Sequence, residues 1–342
     1  MIKNVVFMGT PDFAVGTLKE LIASEKYHVQ AVFSQPDKPR GRGKALQMTP
    51  VKEAAVQAGI PVYQPKRIRE EESLRILREL QPDAIVVVAF GQMIPESILN
   101  LPPHGCINVH ASLLPKYRGA APIQWAVLNG EEESGVTTMR MDAGLDTGDM
   151  ILKTVVRLDP QETGGSLFDR LSEAGAKLLI QTLDAINDGT AVYEKQPEES
   201  PTEYAAMLTK AQGRIDWTKS AREIECLIRG MNPWPSAYTG YRGKTLKLWR
   251  AAAEPDDEAA EKCTETAAFD LLEQENTEAE ADHAEKNDTR PGCVVEVTKH
   301  TLKIQTGDGI LSILELQPEG KKRMETDAFL RGYPVTAGDI LQ

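Results

Sequence analysis

The chain has 342 residues, 41% of them hydrophobic, and a formal net charge of −12. That is about twice a typical domain of ~150 residues, so two domains with a core each are expected. Its longest apolar runs, such as Ala84 to Phe90, fall far short of the ~18 residues of a membrane span, which excludes an integral helical membrane protein.

The opening stretch MIKNVVFMGT enters a strand pattern directly, without the basic and long apolar regions of a secretory signal, so a cytoplasmic location is expected. Strands are predicted at Val5 to Met8, His28 to Phe33, Ala84 to Phe90 and Gly105 to His110, and helices near 13–24, 49–58, 69–80 and 120–129. Strands alternating with helices predict βαβ units and a mostly parallel sheet, an α/β class. A further strand at Gly135 to Met141 and a helix from about Thr163 to Asn187 complete a first domain, residues 1–190. Over 191–207 Pro, Glu and Ser become frequent and periodicity is lost, as in a linker. A helix around Ser220 to Arg229 then precedes SAYTGYRGKTLKLW, CVVEVTKHTLKIQTG and GILSILELQ. Short alternating strands with Gly turns predict a small β-barrel in 208–342.

The acidity is local. Between Glu254 and Arg290 stand 14 acidic and 3 basic residues, whereas the rest of 204–342 holds 15 basic and 10 acidic ones. The second domain therefore reads as a mildly basic body with an acidic insert at 254–290, too polar to bury a core and with room for a short helix around Phe269 to Gln274. The four cysteines are scattered with no C-x-x-C pair, so neither a disulfide framework nor a zinc site is expected, and no metal is predicted. Cys106 reads as a buried strand cysteine rather than a nucleophile.

Nucleotide motifs fail. MGTPDFAV follows a strand and opens a helix but lacks G-x-G-x-x-G, and GRGK at 41–44 lacks the upstream Gly of a P-loop. Thr10 or Asp12 reads as a helix cap.

The stretch CINVHASLLPKYRG, 106–119, carries the chemistry. A strand has a side-chain period of two, so Asn108 and His110 share one face and Ile107 and Val109 the other. Ligands of parallel sheets bind beyond the strands' carboxyl ends, where this pair falls. A second Gly-rich loop, MRMDAGLDTGDM, supplies Asp142, Asp146 and Asp149. The two loops can converge on one cleft, with Phe90, Met93, Ile94 and Leu114 as walls for a flat heteroaromatic ligand. An Asn amide and an imidazolium can both donate to an oxygen that turns negative during acyl transfer, and a carboxylate nearby favours the donor form of the imidazole. An incoming amine would itself be the nucleophile. Ser112 lacks the G-x-S-x-G elbow of a nucleophilic serine.

These residues sit among larger matches. GTPDFA at 9–14, QPDKPRGRGK at 35–44, VVVAFGQMIP at 86–95, GCINVHASLLPKYRGAAPIQWAVLNG at 105–130, GVTTMRMDAGLDTGDM at 135–150 and NPWPSAY at 232–238 together resemble the methionyl-tRNA formyltransferase family over nearly the whole chain. The resemblance implies a doubly wound formyltransferase domain followed by a barrel similar to an oligonucleotide-binding fold. It implies formyl transfer from 10-formyltetrahydrofolate to the α-amino group of methionine on initiator methionyl-tRNA. It carries the catalytic roles onto Asn108, His110 and Asp146, and folate contact onto Ser112, Leu113, Leu114 and Pro115. Contact with the tRNA acceptor stem falls on a basic loop around Arg40, Arg42 and Lys44. A monomer is expected, because the RNA-facing surface would span both domains. The acidic insert departs from the usual compact barrel. Rival readings are an amino-sugar nucleotide formyltransferase, a glycinamide ribonucleotide formyltransferase, a folate-dependent hydrolase domain and an RNA-binding module on an inactive scaffold.

Overall fold

Unbroken apolar runs such as AIVVV at 84–88 suit strands covered on both faces, and they form the middle of the first unit. The computed structural model describes residues 1–40, 45–254 and 290–342. Arg42, Lys44, Cys263, the body of the acidic insert and the helix predicted near 269–274 lie outside the described residues, and Arg40 is described in its backbone alone. The chain divides into a unit of 1–126 with 131–207 and a unit of 127–130 with 208–342.

In chain order the first unit contains β1 (Asn4–Gly9), α1 (Phe13–Ala23), β2 (His28–Phe33), β3 (Lys38–Arg40), β4 (Ala45–Gln47), α2 (Pro50–Gln57), β5 (Val62–Tyr63) and α3 (Glu71–Leu80). There follow β6 (Ala84–Val88), α4 (Glu96–Leu99), β7 (Cys106–His110), α5 (Pro122–Leu128), β8 (Glu133–Arg140), β9 (Asp149–Arg157) and α6 (Gly164–Asn187). The described strands of its main sheet run in the order β5-β2-β1-β6-β7-β8-β9. Pairing is parallel from β5 to β7 and antiparallel from β7 to β9. On one face Val6, Met8, Ile85 and Val87 pack with Leu77 of α3 and Ile98 and Leu99 of α4. On the other, α6 approaches so closely that a Cβ on Gly175 would stand 3.0 Å from Val109.

Three local expectations change. The sequence reading stops the sheet after one strand beyond β7, whereas β9 adds an edge strand whose outer half alternates between half-buried and exposed residues. Asp12 precedes α1 but its side chain makes no capping bond, and the Thr10 hydroxyl donates to the Phe90 carbonyl at 2.9 Å instead. Among the described helices of this unit, Thr49 on α2 and Thr163 on α6 are side-chain caps, each accepting a backbone N–H three residues on. Residues 191–207 do not form a free tether. Glu194 and Met150 exchange two backbone hydrogen bonds of 2.8 Å, and Ala205 accepts the N–H groups of Ala120 and Ala121 at 2.8 and 3.0 Å. A low-periodicity segment looks like a linker in sequence because much of its order comes from partners distant in the chain.

The second unit holds α7 (Ala221–Gly230), β10 (Ala237–Tyr241), β11 (Lys244–Glu254), β12 (Val294–Val297), β13 (Leu302–Gln305), β14 (Ile310–Pro318), β15 (Met324–Glu325) and α8 (Thr326–Gly332). Its antiparallel strands run β10-β11-β14-β13-β12, with β15 beside β14. Leu246, Leu248, Ile304, Leu311, Ile313 and Leu316 alternate inward to make its core. The chain's last residues bond to both ends of this sheet: Gln342 donates to the Gly240 carbonyl, and Leu341 to that of Gly292, each at 2.8 Å. The sheet thereby curls into a small barrel.

Candidate active site

β7 carries both donors. Val109 faces α6, so the pleat turns Asn108 and His110 to the opposite face at the carboxyl end of the parallel strands. Asn108 lies level with Val87 of β6 and Met139 of β8, and His110, the last residue of β7, lies level with Thr137. Both polar side chains are buried. They border a cavity of about 430 Å³ whose apolar walls include Phe90, Ile123, Met141 and Phe168.

Asp146 enters the same cavity from the loop between β8 and β9. Its Oδ1 lies 3.5 Å from Asn108 Nδ2 and 3.7 Å from His110 Nδ1, and its Oδ2 accepts the Gly119 N–H at 3.0 Å. Asp146 has φ of 55°, a left-handed conformation that non-glycine residues adopt at some cost and that clusters at functional sites. Gly119 has φ of 132°, and a Cβ there would come within 2.6 Å of the Ala205 carbonyl, so only glycine lets this N–H reach the carboxylate. His110 Nε2 lies 3.0 Å from the Tyr117 carbonyl. A carbonyl only accepts, so this partner assigns a proton to Nε2 and leaves Nδ1 toward Asp146.

The other sequence-predicted residues fall elsewhere. Asp142 accepts the Gly144 N–H and the Thr147 hydroxyl in an exposed turn. Ser112 is wholly buried and its Oγ donates to the Lys116 carbonyl at 2.6 Å, so its one proton is committed to a turn. Leu113, Leu114 and Pro115 line a separate hollow with Glu133, Lys153 and Pro201 rather than the Asn108 cavity. Of the expected walls Phe90 is in place, but Met93 points to solvent, Ile94 belongs to the core, and Leu114 packs with Met139 and Met150. Burial pushes the Cys106 thiol up to about 12, with Arg140 pulling weakly the other way, so this cysteine stays a protonated core residue. Among the described residues no group of three or more His, Cys, Asp or Glu side chains is placed to hold a metal. No described helix is long and apolar enough to cross a membrane.

Residues 3–183 match the formyl transferase family model, and 207–334 match that of the formyl transferase C-terminal domain. A methionyl-tRNA formyltransferase of Agathobacter rectalis is 53% identical over 337 residues, covering 98% of this chain and 99% of its own. The chain belongs to the methionyl-tRNA formyltransferase family. A member of that family from Clostridioides difficile is 47% identical, with 99% of each chain covered. Among solved structures, an N-formyltransferase from Helicobacter canadensis, in complex with folinic acid and dTDP-3-aminofucose, aligns at a TM-score of 0.61. It is 18% identical over 93% of this chain and 100% of its own, a likeness of fold alone.

Sequence reasoning missed Arg118, Gly119 and Gln196. Arg118 and Gln196 are buried and bonded to each other, with Arg118 Nε donating to Gln196 Oε1 at 3.0 Å. Arg118 stands one residue from a Gly in a polar loop and Gln196 in an apparent linker, and only the rarity of polar side chains in a core sets them apart once burial is known.

Proposed function

We propose that the protein transfers the formyl group of 10-formyltetrahydrofolate to the α-amino group of methionine on initiator methionyl-tRNA, acting as a cytoplasmic monomer. The observation that carries this reading is the convergence of Asn108, His110 and Asp146 on one apolar cavity at the carboxyl end of the sheet. Membership of the family supports the choice of donor and acceptor. The apolar walls beside Asn108 and His110 fit a flat heterocycle.

When bound, the folate supplies an activated formyl carbon. Asn108 Nδ2, whose contact to Asp146 is long, is available to donate to the formyl oxygen as that oxygen gains negative charge. His110 Nδ1 faces the same side and, when protonated, serves as the second donor. In the transfer the amine forms the new C–N bond and loses a proton, while the bond to the folate nitrogen breaks and that nitrogen gains one. Asp146 and His110 stand together in the cavity to take up and return this proton.

The test is a formylation assay with charged initiator tRNA and 10-formyltetrahydrofolate, scored by release of N-formylmethionine. A dTDP-amino-sugar serves as the competing acceptor. Formylation of the sugar with none of the aminoacyl-tRNA would overturn the reading in favour of a sugar-nucleotide enzyme.

A further inference from the structure

Residues 194–198 run back along the loop that holds Asp146. Gln196 is buried, and its amide nitrogen donates to the Asp146 carbonyl at 2.9 Å and to the Gly148 carbonyl at 2.8 Å. Its amide oxygen accepts from Arg118 Nε. The orientation of this amide is fixed by its partners, since two carbonyls can only accept and a guanidinium can only donate. Arg118, itself buried, donates its two remaining nitrogens to the Glu198 and Pro197 carbonyls at 3.1 and 2.7 Å. The next residue is Gly119, whose N–H reaches the Asp146 carboxylate. Gln196 thus grips the backbone of Asp146 on one side while its partner Arg118 sets the donor that grips the carboxylate on the other.

Asp146 has need of such a grip. Its left-handed backbone is a conformation that relaxes unless surrounding bonds over-determine it. Asp142 binds the Gly144 N–H and the Thr147 hydroxyl, and neither bond is made to a backbone atom of Asp146.

We infer that Gln196, locked by Arg118, is a positioning residue that sets the place of the Asp146 carboxylate beside Asn108 and His110. The inference rests on the proposed role of Asp146. Gln196 touches neither the cavity nor the reacting atoms; it acts through the Asp146 loop.

Gln196→Glu keeps the shape and the acceptor toward Arg118 but removes both N–H donors. Steady-state kinetics with charged initiator tRNA and 10-formyltetrahydrofolate should show kcat about 10- to 100-fold lower, the scale of a displacement near 1 Å. KM for either substrate should move less than about threefold, because the loss is one of geometry at the reacting group. The deciding measurement is a double variant. Added to Asp146→Asn, Gln196→Glu should lower kcat by less than about threefold more, because both act through one carboxylate. Should Gln196→Glu not fold by circular dichroism, Gln196→Met, similar in length and without charge, carries the same comparison. A folded variant with parental kcat, or losses that multiply in the double variant, overturns the inference. Full turnover in Asp146→Asn alone would overturn the reading of the site itself, and the inference with it.

Discussion

His110 Nδ1 stands 3.7 Å from Asp146 Oδ1, near enough for charge to act but beyond a hydrogen bond. Asn108 Nδ2 lies 3.5 Å from the same oxygen. One carboxylate oxygen therefore faces both the Asn108 amide and the His110 ring, and such contacts tighten in the reacting complex.

Replacing Asn108 with Ala removes one donor to the formyl oxygen. Turnover should fall roughly 10²–10³-fold, the range for losing one such donor. Equilibrium binding of the folate should change far less. A turnover loss below about threefold would show that the Asn108 amide does not meet the charge that develops in the reaction.

The two aspartates of the Gly-rich loop should separate. Asp146→Asn leaves an oxygen for the Gly119 N–H but removes the charge that faces His110, so kcat should drop by at least about tenfold. Asp142→Asn, confined to an exposed turn, should keep kcat within about threefold. Equal losses in the two variants would mean that loop order, and not the Asp146 charge, sets the rate.

Thr137 is the keystone of the turn that follows His110. Its buried hydroxyl accepts the Leu114 N–H at 3.1 Å and donates to the Ser112 carbonyl at 2.7 Å. Thr137→Val keeps the shape and leaves both backbone groups unpaired, at a cost of about 1–3 kcal/mol. Urea unfolding should report a lower midpoint with an unchanged slope. An unaltered midpoint would assign the 112–115 turn no part in stability.

At the opposite end of the sheet, burial pushes the Asp83 carboxyl up, but the Asn4 and Lys3 amides outweigh it and hold the group below its ordinary range. A depressed folded value means that the unfolded chain binds the proton first as pH falls. The stabilisation from Asp83 is thus fully present above about pH 4, the unfolded carboxylate value, and is lost as pH drops through the folded one. Asp83→Asn should unfold more readily than the parent in urea at pH 6, and the difference should shrink toward pH 3. A difference that stayed constant with pH would assign the effect to packing.

Much of this was legible in the primary structure, for reasons that differ by residue. The period of two in CINVH puts Asn108 and His110 on one face whatever the tertiary context, and parallel topology fixes which end of the sheet that face serves. The residue pattern alone left Asp146 as one of three carboxylates and the family resemblance singled it out, whereas the bond from Gly119 that holds it joins residues 27 apart. Ser112 entered through the family resemblance alone, and the bond of its hydroxyl to the carbonyl four residues on was not visible in the sequence. Gln196 carried no signal, since its significance lies wholly in burial and in partners 48 to 78 positions away. β9 was within reach, for ILKTVVR alternates as an edge strand does, but the preceding Gly-rich loop masked where it began.

The return of residues 194–205 onto the first unit also changes what counts as a minimal catalytic body. A chain ending at residue 190 would retain every strand of the parallel sheet and all three residues of the trio. It would nevertheless lose the amide that braces the Asp146 peptide and the carbonyl that receives Ala120 and Ala121. The boundary of the sheet is therefore not the boundary of the working enzyme. Any exchange of barrels between relatives has to join after Met207, so that the closing stitch travels with the catalytic half it serves.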